Sequence, residues 1–145
     1  MKLRHPETKY DLSNEEAIIR KASSCWNVDY HKLPIQYKLD YALTAKSYCN
    51  KIKAFCEVKK RNNNILDYGS YIISLAKIQA GRELAKITNT TSILIVQWND
   101  MLGYVDFNVD FDCIIGGRFD RNDWQDKEPL AEIHIKKFKK LNKSA

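Results

Sequence analysis

Three side chains in this sequence have types and spacing suited to chemistry: Asp40, Glu57 and Lys59. Glu57 and Lys59 stand two residues apart in the stretch Lys-Ile-Lys-Ala-Phe-Cys-Glu-Val-Lys-Lys-Arg, and Asp40 lies in Tyr-Lys-Leu-Asp-Tyr-Ala-Leu-Thr-Ala. Two carboxylates held together repel, and a hard divalent cation relieves the repulsion. Mg²⁺ takes oxygen ligands, commonly one or two carboxylates with water and substrate phosphate. Such a metal polarises a phosphate oxygen and lowers the pKa of a bound water. An ammonium on the same strand face orients that water or stabilises charge developing on the phosphoryl oxygens. The pattern therefore suggests metal-dependent phosphodiester hydrolysis. Glu-x-Lys alone carries little weight, because Glu7-Thr8-Lys9 repeats it in a polar segment without strand pattern.

The elements that must position these groups read as a hairpin over residues 37–61. Leu39, Tyr41 and Leu43 alternate with Lys38, Asp40, Ala42 and Thr44. Ile52, Ala54, Cys56 and Val58 alternate with Lys51, Lys53, Phe55, Glu57 and Lys59. A period of two marks a strand with one buried face. If the apolar sets share the core, Asp40, Glu57 and Lys59 share the opposite face. The competing reading is a solvated strand face on which the two acids pair with nearby lysines.

Asp40, sixteen residues, then Glu57-Val58-Lys59 followed by a helix resembles the PD-(D/E)xK nuclease superfamily. The order helix, strand with Asp, strand with Glu-x-Lys, helix, strand is also similar. The likeness runs over residues 13–110 and is greatest to small phage-type members, near the virus-type replication-repair nucleases and Holliday junction resolvases. Leu39 stands where the motif name has proline. The resemblance implies an α/β (α+β-like) fold of restriction-endonuclease type, a mixed sheet flanked by helices. It implies a nuclease acting on DNA, with Mg²⁺ (or Mn²⁺ in its place) on Asp40, Glu57 and the Val58 carbonyl, and Lys59 on the attacking water. Products would carry a 5′-phosphate and a 3′-hydroxyl. It also implies a glutamate from the first helix, carried onto Glu15, and a lysine or glutamine from the helix after Glu-x-Lys, either Lys77 or Gln79. Lys60 and Arg61 would hold the phosphate backbone, which supplies affinity without reading sequence. The phage-type likeness implies a cytoplasmic protein acting in a host cell. Cutting of branched DNA would call for a homodimer. Two alternatives stay open: a binding module of the same fold that no longer cuts, and a protein-interaction domain.

The 145 residues suit one domain (1–145) with a real core. No apolar run approaches the ~20 residues of a membrane span, and the N-terminus lacks the apolar stretch of a signal peptide. The net charge of +6 suits a polyanionic partner without establishing one. Cys25, Cys49, Cys56 and Cys113 have no zinc-site spacing and read as free thiols.

In chain order, residues 1–12 read as a loose polar segment. Ser13 and Glu16 have capping-box spacing, and Ile18, Ile19, Ala22, Cys25 and Trp26 form a helical stripe. Residues 27–36 read as a loop, with His31 exposed. Residues 67–87 read as the longest helix, with Ile72, Ile73, Ala76, Ala80, Leu84 and Ile87 on its apolar face. Residues 92–98 read as a buried central strand, 104–109 as another, 111–119 as a short strand and turn, and 130–135 as a final strand. Helix-then-strand after the hairpin implies a crossover and a parallel pair. Phe119 and Trp124 mark a polar loop that either stacks a base or anchors on the core. In the basic tail, 136–145, Phe138 and Leu141 can pack while the lysines face water.

Overall fold

The computed structural model describes residues 9–46, 50–117 and 127–142. Parts of the N-terminal segment, the hairpin turn around Cys49, the loop with Phe119 and Trp124, and the last three residues lie outside these. The architecture is mixed α/β. Helix α1 (Lys9–Trp26) is followed by β1 (Val28–Lys32), β2 (Tyr41–Ala45), β3 (Ile52–Lys60) and β4 (Ser70–Ser74). Helix α2 (Leu75–Thr88) leads to β5 (Thr91–Gln97), β6 (Leu102–Asp106), β7 (Asp112–Gly117), β8 (Lys127–His134) and β9 (Lys139–Lys140).

Two sheets result. The larger has the order β1-β2-β3-β5-β6-β9 and the smaller β4-β8-β7. Strand β3 pairs antiparallel with β2, Tyr41 opposite Cys56, and parallel with β5, Glu57 opposite Leu94. The parallel pair is the crossover expected from helix-then-strand order, made by β4 and α2. Asn89, in the left-handed region at φ 55°, ends α2 and donates its N–H to Lys86, so the chain turns directly into β5.

Both faces of the large sheet are buried. One carries Ile18, Ile19 and Ala22 of α1 against Tyr41, Leu43, Ala54, Cys56 and Val58. The other carries Ile78 of α2 against Ala42, Phe55, Leu94, Val96 and Phe107. The face expected opposite the apolar set is therefore a second core, not a solvated surface. Leu39 and Tyr41, one face by strict alternation, fall in different clusters, because β2 begins only at Tyr41 and Leu39 lies before it.

Several local expectations are corrected. Helix α1 begins at Lys9, so Ser13 is inside it, and residues 9–12 are not loose. Residues 28–32 are an edge strand paired with β2, where a loop was expected. His31 on that strand lies 2.9 Å from Thr44 Oγ1. Residues 70–74 are β4, paired with β8, so the expected 67–87 helix starts at Leu75. Its buried stripe is Ile78, Gly81 and Ala85, and Ile72 and Ile87 are exposed. The tail is integral: Phe138 and Leu141 are buried, and Lys139–Lys140 pair with β6.

Gly81 shows how closely α2 sits on the sheet. A Cβ there would run into the Phe107 ring. Ser92 of β5 donates to the Gly81 carbonyl at 2.7 Å. Gly81→Ala is expected to destabilise the protein by about 1–3 kcal/mol, despite alanine's better helix propensity. A lower urea midpoint with unchanged m-value would show it; a gain in stability would refute this packing.

Among the described residues no helix is long and apolar enough to cross a membrane.

Candidate active site

Strand β3 is flanked on both sides, by β2 and by β5. Its odd positions, Phe55, Glu57, Lys59 and then Arg61, face α2 and β4. Arg61 prolongs the ladder, its N–H donating to the Gln97 carbonyl at 2.9 Å. A carboxylate at 57 is thus carried into the core by strand register, and Glu57 is 1% exposed.

Asp40 arrives by a different device. Its N–H donates to the Cys56 carbonyl at 2.8 Å, and its carbonyl accepts from Leu33 at 2.9 Å. Before Asp40 the chain leaves the sheet, and the Asp40 side chain takes over the ladder. Its Oδ2 accepts from the Val58 N–H at 2.8 Å. Asp40 is 2% exposed. That bond satisfies a buried donor that a neighbouring strand would otherwise have to serve.

The two acids lie together. Burial pushes the Glu57 carboxyl up to about 8, and the nearby charge of Asp40 adds to the rise. Lys77 and then Lys59 offset part of it. Lys77 Nζ is 3.0 Å from Glu57 Oε2 and Lys59 Nζ is 3.9 Å from the same atom. These are ion pairs without hydrogen-bond geometry, since both Glu57 oxygens are buried with no hydrogen-bond partner. Lys77 also donates to the Lys38 carbonyl, which ties α2 to the segment leading into Asp40. On the opposite face, burial and then the Asp40 charge push the Cys56 thiol up, so it is not a nucleophile.

The expected accessory groups separate. Of the two candidates on α2, Lys77 reaches Glu57, while Gln79 is exposed in a groove between α2 and residues 36–39. Glu15 is linked to Asp40 by Lys32, whose Nζ is 3.2 Å from Glu15 Oε2 and 3.7 Å from Asp40 Oδ1. Lys32 also lies over the Tyr41 ring. Lys60 is exposed, and Arg61 stacks on the Tyr71 ring, 4.8 Å from its centroid. Sequence reasoning missed Lys32 and Tyr71. Each depends on a strand that was read as loop or helix.

Among the described residues no group of three or more His, Cys, Asp or Glu could hold a metal. The donors on offer are two carboxylates and backbone. Neither Glu57 oxygen has a hydrogen bond, and the ion pairs with Lys77 and Lys59 both fall on Oε2, so the buried carboxylate has room for a proton or a further cation. An oxygen-seeking cation completed by water and phosphate fits that set.

The family model described as "Phage putative PDDEXK endonuclease" matches residues 2–141. Among solved structures, the chain is similar to Hjc of Archaeoglobus fulgidus, a Holliday junction resolvase from an archaeal hyperthermophile. The TM-score is 0.53 at 9% identity, over 83% of this chain and 84% of that one. No curated protein matches this sequence.

Proposed function

From the premise that this chain belongs to the phage PDDEXK endonuclease family, and so is a nuclease, we propose that it cuts DNA with a divalent metal, Mg²⁺ or Mn²⁺, held by Asp40 and Glu57. The observation that carries the reading is the buried pair itself: two facing carboxylates, one with both oxygens unserved, under two lysines. When bound, the cation offsets phosphate charge and lowers the pKa of water. The Val58 carbonyl, next to Glu57, is the third ligand we assign.

The chain's own residues supply the rest. Asp40 is fixed at Oδ2 by the Val58 N–H, with Lys32 3.7 Å from Oδ1. Lys59 sits two residues from Glu57 on the same face, with its side chain 41% exposed. It is placed to orient the attacking water and to stabilise charge on the phosphoryl oxygens. Lys77 neutralises Glu57 from the α2 side, and Glu15 steadies Asp40 through Lys32. Lys60 and Arg61 hold the backbone. The protein would act on DNA in the cytoplasm of a phage host, and branched DNA is the substrate class we place first, cut by two copies of the chain.

The test is cleavage of labelled linear duplex, single strand and four-way junction with Mg²⁺, Mn²⁺ or EDTA. Wild type is expected to cut only with metal, and Lys59→Ala to lose about 10²–10³-fold in rate. Faster cutting of the junction supports the branched preference, and equal rates on duplex remove it. Binding without cutting by any metal would make the protein an inactive binding module.

A further inference from the structure

Among the described residues, three buried side-chain atoms have no hydrogen-bond partner: the two Glu57 oxygens and the Tyr71 hydroxyl. Glu57 is accounted for by its proposed cation. Tyr71 is not used by the mechanism at all. It stands on β4, the strand that sequence reading took for helix, and is 5% exposed. Trp98 and Phe138 hold its ring edge-on, with centroids at 6.1 and 5.7 Å. The ring is thus held on two sides, which leaves its face to a third neighbour.

One ring contact remains, with Arg61, whose guanidinium carbon lies 4.8 Å from the centroid. Arg61 is half-buried and follows Glu57 and Lys59 on the same strand face. A guanidinium over an aromatic face is attracted by the ring's quadrupole; one Arg61 edge donor serves the Lys60 carbonyl at 3.2 Å, and the others are left for a further acceptor. The electrostatics agree with this proximity: burial pushes the Tyr71 phenol up, Arg61 opposes the rise, and Glu57 adds to it.

We infer that Arg61, held on Tyr71, forms a dedicated subsite for a DNA phosphate next to the scissile one, with Tyr71 as its positioning residue. This rests on the nuclease reading above and adds a place and a platform to it. Four residues of strand separate Arg61 from Glu57, about 13 Å at strand rise. That spacing sets the Arg61 backbone apart from Asp40 and Glu57, so we assign its guanidinium to a phosphate other than the one held there. The planar guanidinium suits charge-assisted hydrogen bonding to a phosphate. Tyr71 itself does not touch the DNA.

The test measures binding of a fluorescent DNA duplex across a salt series with Ca²⁺ in place of Mg²⁺. Arg61→Ala is expected to weaken binding about five- to tenfold near 0.1 M salt and to lower the salt slope by about one. Tyr71→Leu should reproduce most of that loss, and the double variant should bind no worse than Arg61→Ala. Tyr71→Phe keeps the ring and should keep wild-type binding and slope. A ring-fluorinated phenylalanine at position 71 keeps the shape but weakens the ring's negative face, so it should lose binding even if Tyr71→Leu does not fold. In cleavage with Mg²⁺, KM should rise more than kcat falls. Replacing one phosphate beside the cleavage point by neutral methylphosphonate should weaken wild type and leave Arg61→Ala unchanged. An Arg61→Ala protein that binds like wild type overturns the subsite. Folded Tyr71 variants with full Arg61-dependent binding overturn the platform. A wild type that binds no DNA overturns the nuclease reading, and this inference with it.

Discussion

Glu57→Gln is expected to abolish cleavage and at the same time to make the metal-free protein more stable at pH 8. The loss of activity would follow from removing one of the two carboxylates proposed to hold the metal. Several kcal/mol of transition-state stabilisation at 1.4 kcal/mol per tenfold gives a fall of about 10³ or more. The gain in stability follows from the carboxyl pushed up from 4.5 to about 8. Its folded value lies above its unfolded one, so the folded chain binds the proton more tightly. Stability without metal is then greatest below about 4.5 from this group, and is lost as pH rises through 8. A neutral amide removes that loss, worth on the order of a few kcal/mol, or a Tm higher by about 5–10 °C. Melting curves from pH 5 to pH 8 in EDTA check the sign. Wild type should fall across that range more than the variant does, and Mg²⁺ at pH 8 should restore wild type while leaving Glu57→Gln unmoved. A variant less stable than wild type at pH 8 would mean that Lys77 and Lys59 outweigh burial.

Asp40 should separate into two roles. Asp40→Asn keeps an oxygen for the Val58 N–H, so the fold should hold while cleavage falls about 10³-fold or more. Asp40→Ala removes the acceptor as well. It leaves a buried amide unserved where the chain quits the sheet, at a cost of about 1–3 kcal/mol. Urea titration of both variants, beside their cleavage rates, distinguishes the two losses. Equal stability of the two would show that the Val58 bond contributes nothing, and retained cleavage in both would remove Asp40 from the site.

The core of the site was legible because strand register is a short-range property. Glu57 and Lys59 share a face whatever lies around them, and the apolar residues between them mark the strand. The Asp40 hydrogen bond to Val58 was not legible, since it arises where alternation fails. Strand β1, Val-Asp-Tyr-His-Lys, carries too little apolar alternation to stand out, so the link from Lys32 to Glu15 and Asp40 was out of reach. Strand β4 misled for a sharper reason. Ile72 and Ile73 fall at helical spacing before Ala76 and Ala80, and β4 runs into α2 without a break. The fused reading rotated the helix stripe, hid Ile78 and left Lys77 and Gln79 indistinguishable. It also concealed Tyr71. A strand defined by pairing with β8, far along the chain, has no local signature.

The last strand bears on solution behaviour. An uncovered strand edge offers unpaired N–H and C=O groups to any other chain, and charged residues are a common defence. Here β6 would be that edge, and the two-residue β9 lies along it at Gly103 and Tyr104 with both its lysines exposed. The pair acts as a gatekeeper: it occupies the backbone template and presents like charge to an approaching sheet. Of the two edges of the large sheet, β1 and β9, the second is thus guarded against pairing with other chains by two residues remote from the chemistry.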